Sequence, residues 1–537
     1  MDSTRAAGII LHVTSLPGPH GNGDLGAEAH DFVNSLIRAG QGIWQVLPLG
    51  PTGYGDSPYQ SFSAFAGNPL LVDLRELAAQ GWLTNAELAE APAFPPDIVD
   101  YERVIPWRMA QLRRAFARFR ESPSPLSPGP QAGPGPAGTG RPARGPGLSD
   151  FDAFCKTNAD WLSDFALFLA IKREQGEVEW TRWPAELAAR EPATLKQARQ
   201  RLAGEIEFHQ FVQWCFFRQW QALKRHSNSA GVRIVGDVPI FVAHDSADVW
   251  VHRELFKLDE AGRPLVVAGV PPDYFSATGQ LWGNPLYDWD RLAVRGYDWW
   301  IRRLRQATAL FDLVRLDHFR GFVAHWEIPA DSATAASGHW MPGPASSLFA
   351  AATAALGPLP LIAEDLGVIT PAVVALREEF GYPGMRILQF AFGDDPEAPN
   401  YLPHNYVPQT VVYTGTHDND TAVGWFHSEA GEGTTRTAQQ IARERAHTLA
   451  YVNTSGVEIH WDLIRLAAAS VARLAIYPLQ DVLGLGAAAR MNMPSTTSGN
   501  WCWRCAPGQF TAEHEQRLHS LAETFDRQLF AAPREGA

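Results

Sequence analysis

Four acidic residues stand where short apolar runs end. Asp237 follows Gly231-Val232-Arg233-Ile234-Val235-Gly236, Asp317 closes Phe311-Asp312-Leu313-Val314-Arg315-Leu316, and Glu364 follows Pro360-Leu361-Ile362-Ala363. Asp418 comes just after Thr410–Thr416, behind His417. Side chains alternate along a strand, so Arg315 and Asp317 share one face with Leu316 on the other. A guanidinium on that face favours an ionised carboxylate. Alone, this is an ordinary ion pair at a strand end; with three further strand-end acids it is a constellation.

Paired carboxylates of unequal protonation are what glycoside chemistry uses, one as an ionised nucleophile and the other as a protonated acid. Arg315 assigns the ionised role to Asp317. Glu364 has no cation beside it in sequence, and desolvation at an aromatic-lined mouth would hold it protonated, as the acid/base. Asp365 points the other way and reads as a cap on the next helix. Asp418 is then left to hydrogen-bond sugar hydroxyls as charge develops on the ring, with His417 assisting, although His417 alone reads equally as a structural histidine. Clustered carboxylates also suit a metal, but Arg315 and the aromatic loops suit a sugar better than a bare cation.

Eight apolar runs can carry these residues to one place. They lie near 8–13, 43–49, 231–239, 311–317, 360–367, 384–390, 410–414 and 472–479, with helical spacing between most of them. That count predicts an α/β fold, a (β/α)8 TIM barrel whose mouth gathers the C-terminal strand ends. No run of alternating strands follows the eighth, so a C-terminal β-sandwich is not expected. The reading is one catalytic unit over 1–537, with a largely helical insertion at about 73–221 and an active-site lid at about 245–300. Within the insertion, 122–148 holds fifteen Pro or Gly among 27 residues, a linker composition that cannot bury enough apolar surface to order itself. The aromatic-rich helices near 161–172 and 208–224 read as core. The Gly/Pro-rich stretch 50–61 follows a strand end and offers Asp56, Ser57, Tyr59 and Gln60 to a ligand. A second long loop, 270–285, carries Tyr274, Phe275 and Trp282.

Composition narrows the partner. The 537 residues carry a net charge of −13, which argues against nucleic acid or an anionic membrane. Nineteen Trp and 28 Phe suit a neutral polyhydroxylated ligand, whose C–H faces stack on aromatic rings. Four cysteines make no disulfide framework, and Cys502-x-x-Cys505 has no second pair to complete a zinc site. No signal-peptide layout or membrane-length apolar stretch is present, so the expectation is a cytoplasmic protein.

Taken together, Gly53-Tyr54-Gly55-Asp56-Ser57-Pro58-Tyr59, Gly236-Asp237-Val238-Pro239, Val270 to Pro285, Arg315-Leu316-Asp317-His318-Phe319, Ala363-Glu364-Asp365-Leu366-Gly367, Thr416-His417-Asp418-Asn419 and Asn500-Trp501-Cys502-Trp503-Arg504 span nearly the whole chain. In this order they resemble the amylomaltases, 4-α-glucanotransferases of the disproportionating-enzyme family related to the α-amylase superfamily. The resemblance implies Asp317 as nucleophile, Glu364 as acid/base and Asp418 as transition-state stabiliser. It implies sugar binding by Tyr59, Asp237, Arg315 and His417 in the central subsites and an acceptor side lined by Tyr274, Phe275 and Trp282. Asn284 counts among the substrate-binding residues, and Tyr54 among those of a secondary glucan contact. The implied reaction is a retaining double displacement on α-1,4-glucans such as maltooligosaccharides, starch or glycogen chains, with no cofactor, metal or obligate protein partner. An α-1,4-glucan hydrolase of the same superfamily would need the same carboxylates. Two positions depart from the family pattern, Ala277 in the lid and Ser495 near the barrel mouth.

Overall fold

Strands buried on both faces need apolar residues at every position, and the barrel strands have them: Ala6–Ile10 and Leu474–Pro478 are buried throughout. The computed structural model describes residues 4–121, 147–272, 278–431, 436–494, 496, 498–527 and 529–530. The stretch 122–148 is therefore outside the described residues except for its last two, as are Tyr274, Phe275, Ala277 and Ser495.

In chain order the strands are β1 (Ala6–Ile10), β2 (Ile43–Gln45), β3 (Arg233–Pro239), β4 (Val266–Val270), β5 (Gln280–Pro285), β6 (Leu313–Asp317), β7 (Ala324–Pro329), β8 (His339–Pro342), β9 (Leu361–Ala363), β10 (Gly384–Ile387), β11 (Thr410–Tyr413) and β12 (Leu474–Pro478). Eight of them form a closed barrel in the order β1-β12-β11-β10-β9-β6-β3-β2. These are the eight apolar runs of the sequence. All barrel pairs are parallel, and the ring closes where Ala6 of β1 pairs with Leu474 of β12.

Register decides which side chains meet at the mouth. β3 and β6 pair Asp237 with Arg315 and Pro239 with Asp317. β6 and β9 pair Leu316 with Ala363, so Glu364 leaves β9 beside Asp317. Gly236 lets β3 sit this close to the chain entering β6, because a Cβ there would lie 2.1 Å from the Phe311 ring.

The stretch 270–285, read from sequence as one loop, is different. Val266–Val270 and Gln280–Pro285 are antiparallel strands of a four-stranded sheet, order β5-β4-β7-β8, standing outside the barrel. Its apolar face is small, Val267 and Ile328 packing on Ala335. Trp, His, Glu, Gly and Pro interrupt its other positions, which hides the strand period.

The early insertion is helical, with Tyr101–Glu121, Leu148–Thr157, Ala159–Glu174 and Ala203–Ser229 as its long members. Trp82, Phe119, Phe151, Phe211 and Trp214 make one ring cluster among them, with Phe119 and Phe211 centroids 4.9 Å apart. Residues 97–101 are stitched to the segment 501–504 beyond the last strand. Val99 N donates to Cys502 O at 2.7 Å, Arg504 N to Asp97 O at 2.8 Å, and Tyr101 Oη to Trp501 O at 3.1 Å.

Candidate active site

Arg315 is the hub. Its Nη1 bonds Asp237 Oδ2 at 2.6 Å and its Nη2 meets Asp317 Oδ1 at 2.8 Å, with the guanidinium buried between them. The β3–β6 register makes the first contact and strand alternation the second. Tyr59, on the loop after β2, donates to the same Asp237 oxygen at 2.8 Å. Its ring stacks on His417 with centroids 5.1 Å apart and planes 19° from parallel.

Asp317 does not owe its charge state to Arg315 alone. Burial pushes its carboxyl up to about 6, Arg315 opposes that, and Asp237 and Asp418 add to it. Arg315 favours the ionised form, as its place on the same strand face implies, but desolvation outweighs the ion pair in setting the proton affinity. The side chain keeps 28% of its surface open, and near neutral pH the ionised form still dominates.

Glu364 has a different cradle. Oε2 accepts from His318 N at 2.7 Å and Oε1 from Leu366 N at 2.9 Å. Burial pushes this carboxyl up to about 7 against Arg315 and those two N–H bonds, with Asp317 adding to the rise. His318 stands in the left-handed region at φ 52°. Its imidazole packs edge-on against Trp282 at 4.9 Å. Burial and nearby Arg320 and His325 push that imidazole down to about 3, so it is neutral.

Asp418 lies across the cleft. Asn492 Nδ2 donates to its Oδ1 at 2.6 Å, and His417 Nε2 sits 3.3 Å from its Oδ2. Arg490 Nη2 donates to its backbone oxygen at 2.5 Å. Burial raises the Asp418 carboxyl, but His417, Asn492 and Arg315 outweigh it and hold it well below the usual range. Burial disfavours a proton on His417, yet Asp418 overcomes this and raises its affinity.

Asp365 is no helix cap. It accepts from Met385 N at 2.7 Å and Arg377 Nη1 at 2.8 Å, tying β9 to β10 and to the helix Pro371–Glu379. Asn284 spends its amide within the protein, donating to Val242 O at 2.9 Å and accepting from Gln60 at 3.3 Å, which fixes β5 to the mouth. Tyr54 stands apart from this cluster on an exposed turn, 76% open. His318, Asn492, Arg490 and Trp501 were not singled out from sequence as site residues, although each lies in or beside a stretch that was. Trp501, at φ 64°, holds its indole 5.7 Å from Tyr59 and 5.8 Å from His417. A bulky residue in that region is strained, and such strain collects at functional sites.

Among the described residues, no three His, Cys, Asp or Glu side chains are grouped to hold a metal ion. What the cleft offers is one open carboxylate on a buried arginine, one carboxyl poised to trade a proton near neutrality, and one fixed anion.

Comparison with known proteins adds three findings. A family model described as 4-alpha-glucanotransferase matches residues 11–510. A 4-alpha-glucanotransferase of Thermus thermophilus is 52% identical over 98% of this chain and 100% of its own length, and a chloroplastic/amyloplastic one of Solanum tuberosum 43% identical over 93% and 82%. An amylomaltase of Streptococcus agalactiae, solved in complex with acarbose, superposes with TM-score 0.89 at 37% identity, covering 98% of this chain and 100% of that one.

Proposed function

The chain belongs to the 4-alpha-glucanotransferase family, and from that premise we propose how its barrel mouth moves an α-1,4-glucan segment from donor to acceptor. Asp317 attacks the anomeric carbon while Glu364 gives its proton to the departing glycosidic oxygen. A covalent glycosyl-enzyme remains and the shortened glucan leaves. Glu364, now a carboxylate, takes the proton of an acceptor's 4-hydroxyl as that oxygen displaces Asp317. Two inversions retain the configuration. Asp418 faces the positive charge that builds on the sugar ring in both steps. Arg315, Asp237, Tyr59 and His417 hold the sugar under attack.

One observation carries this assignment: Asp317 is ion-paired to Arg315 at 2.8 Å, whereas Glu364 is held only by two main-chain N–H groups in a buried site that pushes its carboxyl up to about 7. An acid that is half protonated near pH 7 serves both as the acid of the first step and as the base of the second. Segment 245–300 acts as the lid, with Trp282 packed on His318 at the acceptor side and Asn284 fixing β5. Tyr274 and Phe275 belong to that acceptor side by family resemblance, and Tyr54 to a secondary glucan contact. The acarbose complex of the Streptococcus agalactiae relative fits glucan binding. We place the enzyme in the cytoplasm, acting on maltooligosaccharide, starch or glycogen chains without a nucleic-acid, membrane or obligate protein partner. The net charge of −13 supports this, and no described helix is long and apolar enough to cross a membrane.

Maltotriose as sole substrate tests the reading. Transfer yields released glucose together with a ladder of longer maltooligosaccharides. Glucose and maltose alone would mark a hydrolase and overturn it.

A further inference from the structure

His417 has two ring nitrogens, and only one is accounted for. Nε2 faces Asp418 at 3.3 Å, while Nδ1 is buried with no hydrogen-bond partner. A cavity of about 30 Å³ lies against this residue, lined also by His12, Ser15, Asp420, Gln480 and Arg490. His12 stands two residues beyond β1, 6% exposed, and its Nδ1 is likewise buried and unbonded. Ser15 Oγ donates to Trp503 O at 2.8 Å, which leaves its lone pairs for another donor. A water needs roughly 10–15 Å³ and two or more polar partners. This cavity supplies both.

Two imidazoles sharing such a space do not both carry charge. The groups around His417 favour it as the charged one. Asp418 lies on its own loop, Asp237 on β3 and Asp317 on β6, while Arg315 on β6 and Arg490 oppose them. Tyr59 covers the ring face, and Asp420 adds a further acid at the cavity. His12 is pushed down to about 3 by burial and by His417 itself.

We propose that His12 is a positioning residue of this enzyme: neutral, it accepts through a bridging water the Nδ1 proton of His417, so that the imidazolium keeps its Nε2–H on Asp418. The sequence His12···water···His417···Asp418 then runs from the end of β1 to the anion beneath the reacting sugar ring. Outer-shell partners of this kind fix ring orientation and proton location for the group that acts. The inference rests on Asp418 being the transition-state stabiliser.

His12→Leu removes the imidazole acceptor, and His12→Gln restores one. The readout is the ratio of wild-type to variant kcat against pH with maltotriose. For His12→Leu the ratio is expected to rise with pH, from near one where His417 is protonated in both enzymes to about tenfold where it is not, one pH unit of proton affinity. For His12→Gln it stays nearly flat. A pH-independent ratio of any size in His12→Leu, or a His12→Gln profile like that of His12→Leu, overturns the proposal. If either variant fails to fold, a crystal structure of the wild-type enzyme decides: a water within about 3.2 Å of both Nδ1 atoms supports it, and none overturns it. Asp418→Asn separates the levels. If that variant keeps wild-type transfer, the reading of the site fails; if it is inactive while the His12 ratios stay flat, only the present proposal fails.

Discussion

The β6–β9 edge and the loop after β11 bring the same chemical group to one cleft and give it opposite charge. Glu364 on the first is gripped by two main-chain N–H groups and shut from water, and it holds a proton up to about pH 7. Asp418 on the second is gripped by side chains, His417 and Asn492, and it stays ionised. Both feel Arg315 and both lie near Asp317. The difference lies in the partners and in exposure. Two neutral amides offset only part of the desolvation cost of Glu364, which is 9% exposed, whereas Asp418 pairs with an imidazole and a carboxamide and keeps 45% of its side chain open. A barrel can thus set an acid and an anion side by side without a change of residue class, by varying who donates to each.

Asp317 sits between the two regions, and breaking it has the largest expected effect. Asp317→Asn should lower kcat by about 10⁴-fold or more with the far-UV circular dichroism spectrum unchanged. Residual transfer within tenfold of wild type would remove it from the nucleophile's role. Next comes Glu364→Gln, expected to cost about 10²–10⁴-fold and to alter the pH profile itself. In the wild-type enzyme, activity should rise as Asp317 loses its proton and fall as Glu364 loses its own, burial having pushed the two up to about 6 and about 7. The two inflections belong to the pair. Without Glu364 the alkaline fall should vanish, and its persistence would point to another acid. The smallest effect tests the other region: Asn492→Leu removes one hydrogen bond to a carboxylate and should lower kcat roughly 10- to 100-fold, with KM for maltotriose moved less. An unchanged kcat would leave His417 as sufficient support for Asp418.

The barrel was legible because each of its strands is a short apolar run, visible without knowing its neighbours. The sheet of β4, β5, β7 and β8 was not. Trp326 faces Trp340 across β7 and β8, and Gly269 faces Leu281 across β4 and β5; these pairs show no apolar alternation, and their order depends on strands far apart in sequence. The same divide runs through the site. Asp317, Glu364 and Asp418 announce themselves as acids at strand ends. Asn492 and Arg490 carry no such mark, and they reach Asp418 only because a segment beyond β12 folds back over the mouth. The raised proton affinity of Asp317 is likewise a property of enclosure, which the Arg-x-Asp spacing pointed away from. Asp365 shows the limit of alternation: its outward direction is right, but its partners, Arg377 and Met385, belong to elements whose approach the spacing does not encode.

The closure of the ring by Ala6 of β1 against Leu474 of β12 sets a schedule as well as a shape. At ribosomal speeds of about 5–20 residues per second, β1 waits on the order of 25–95 seconds for that partner to be made. Through that interval the nascent sheet has an open edge at β1 and another at whichever strand emerged last, and open edges invite pairing with other chains. Asp317 and Glu364 are synthesised well before Asn492 and Trp501, so the cleft becomes competent only in the last moments of synthesis. Until then, the half-built barrel has beside it the helical insertion, already made, with its cluster of Trp82, Phe119, Phe151, Phe211 and Trp214.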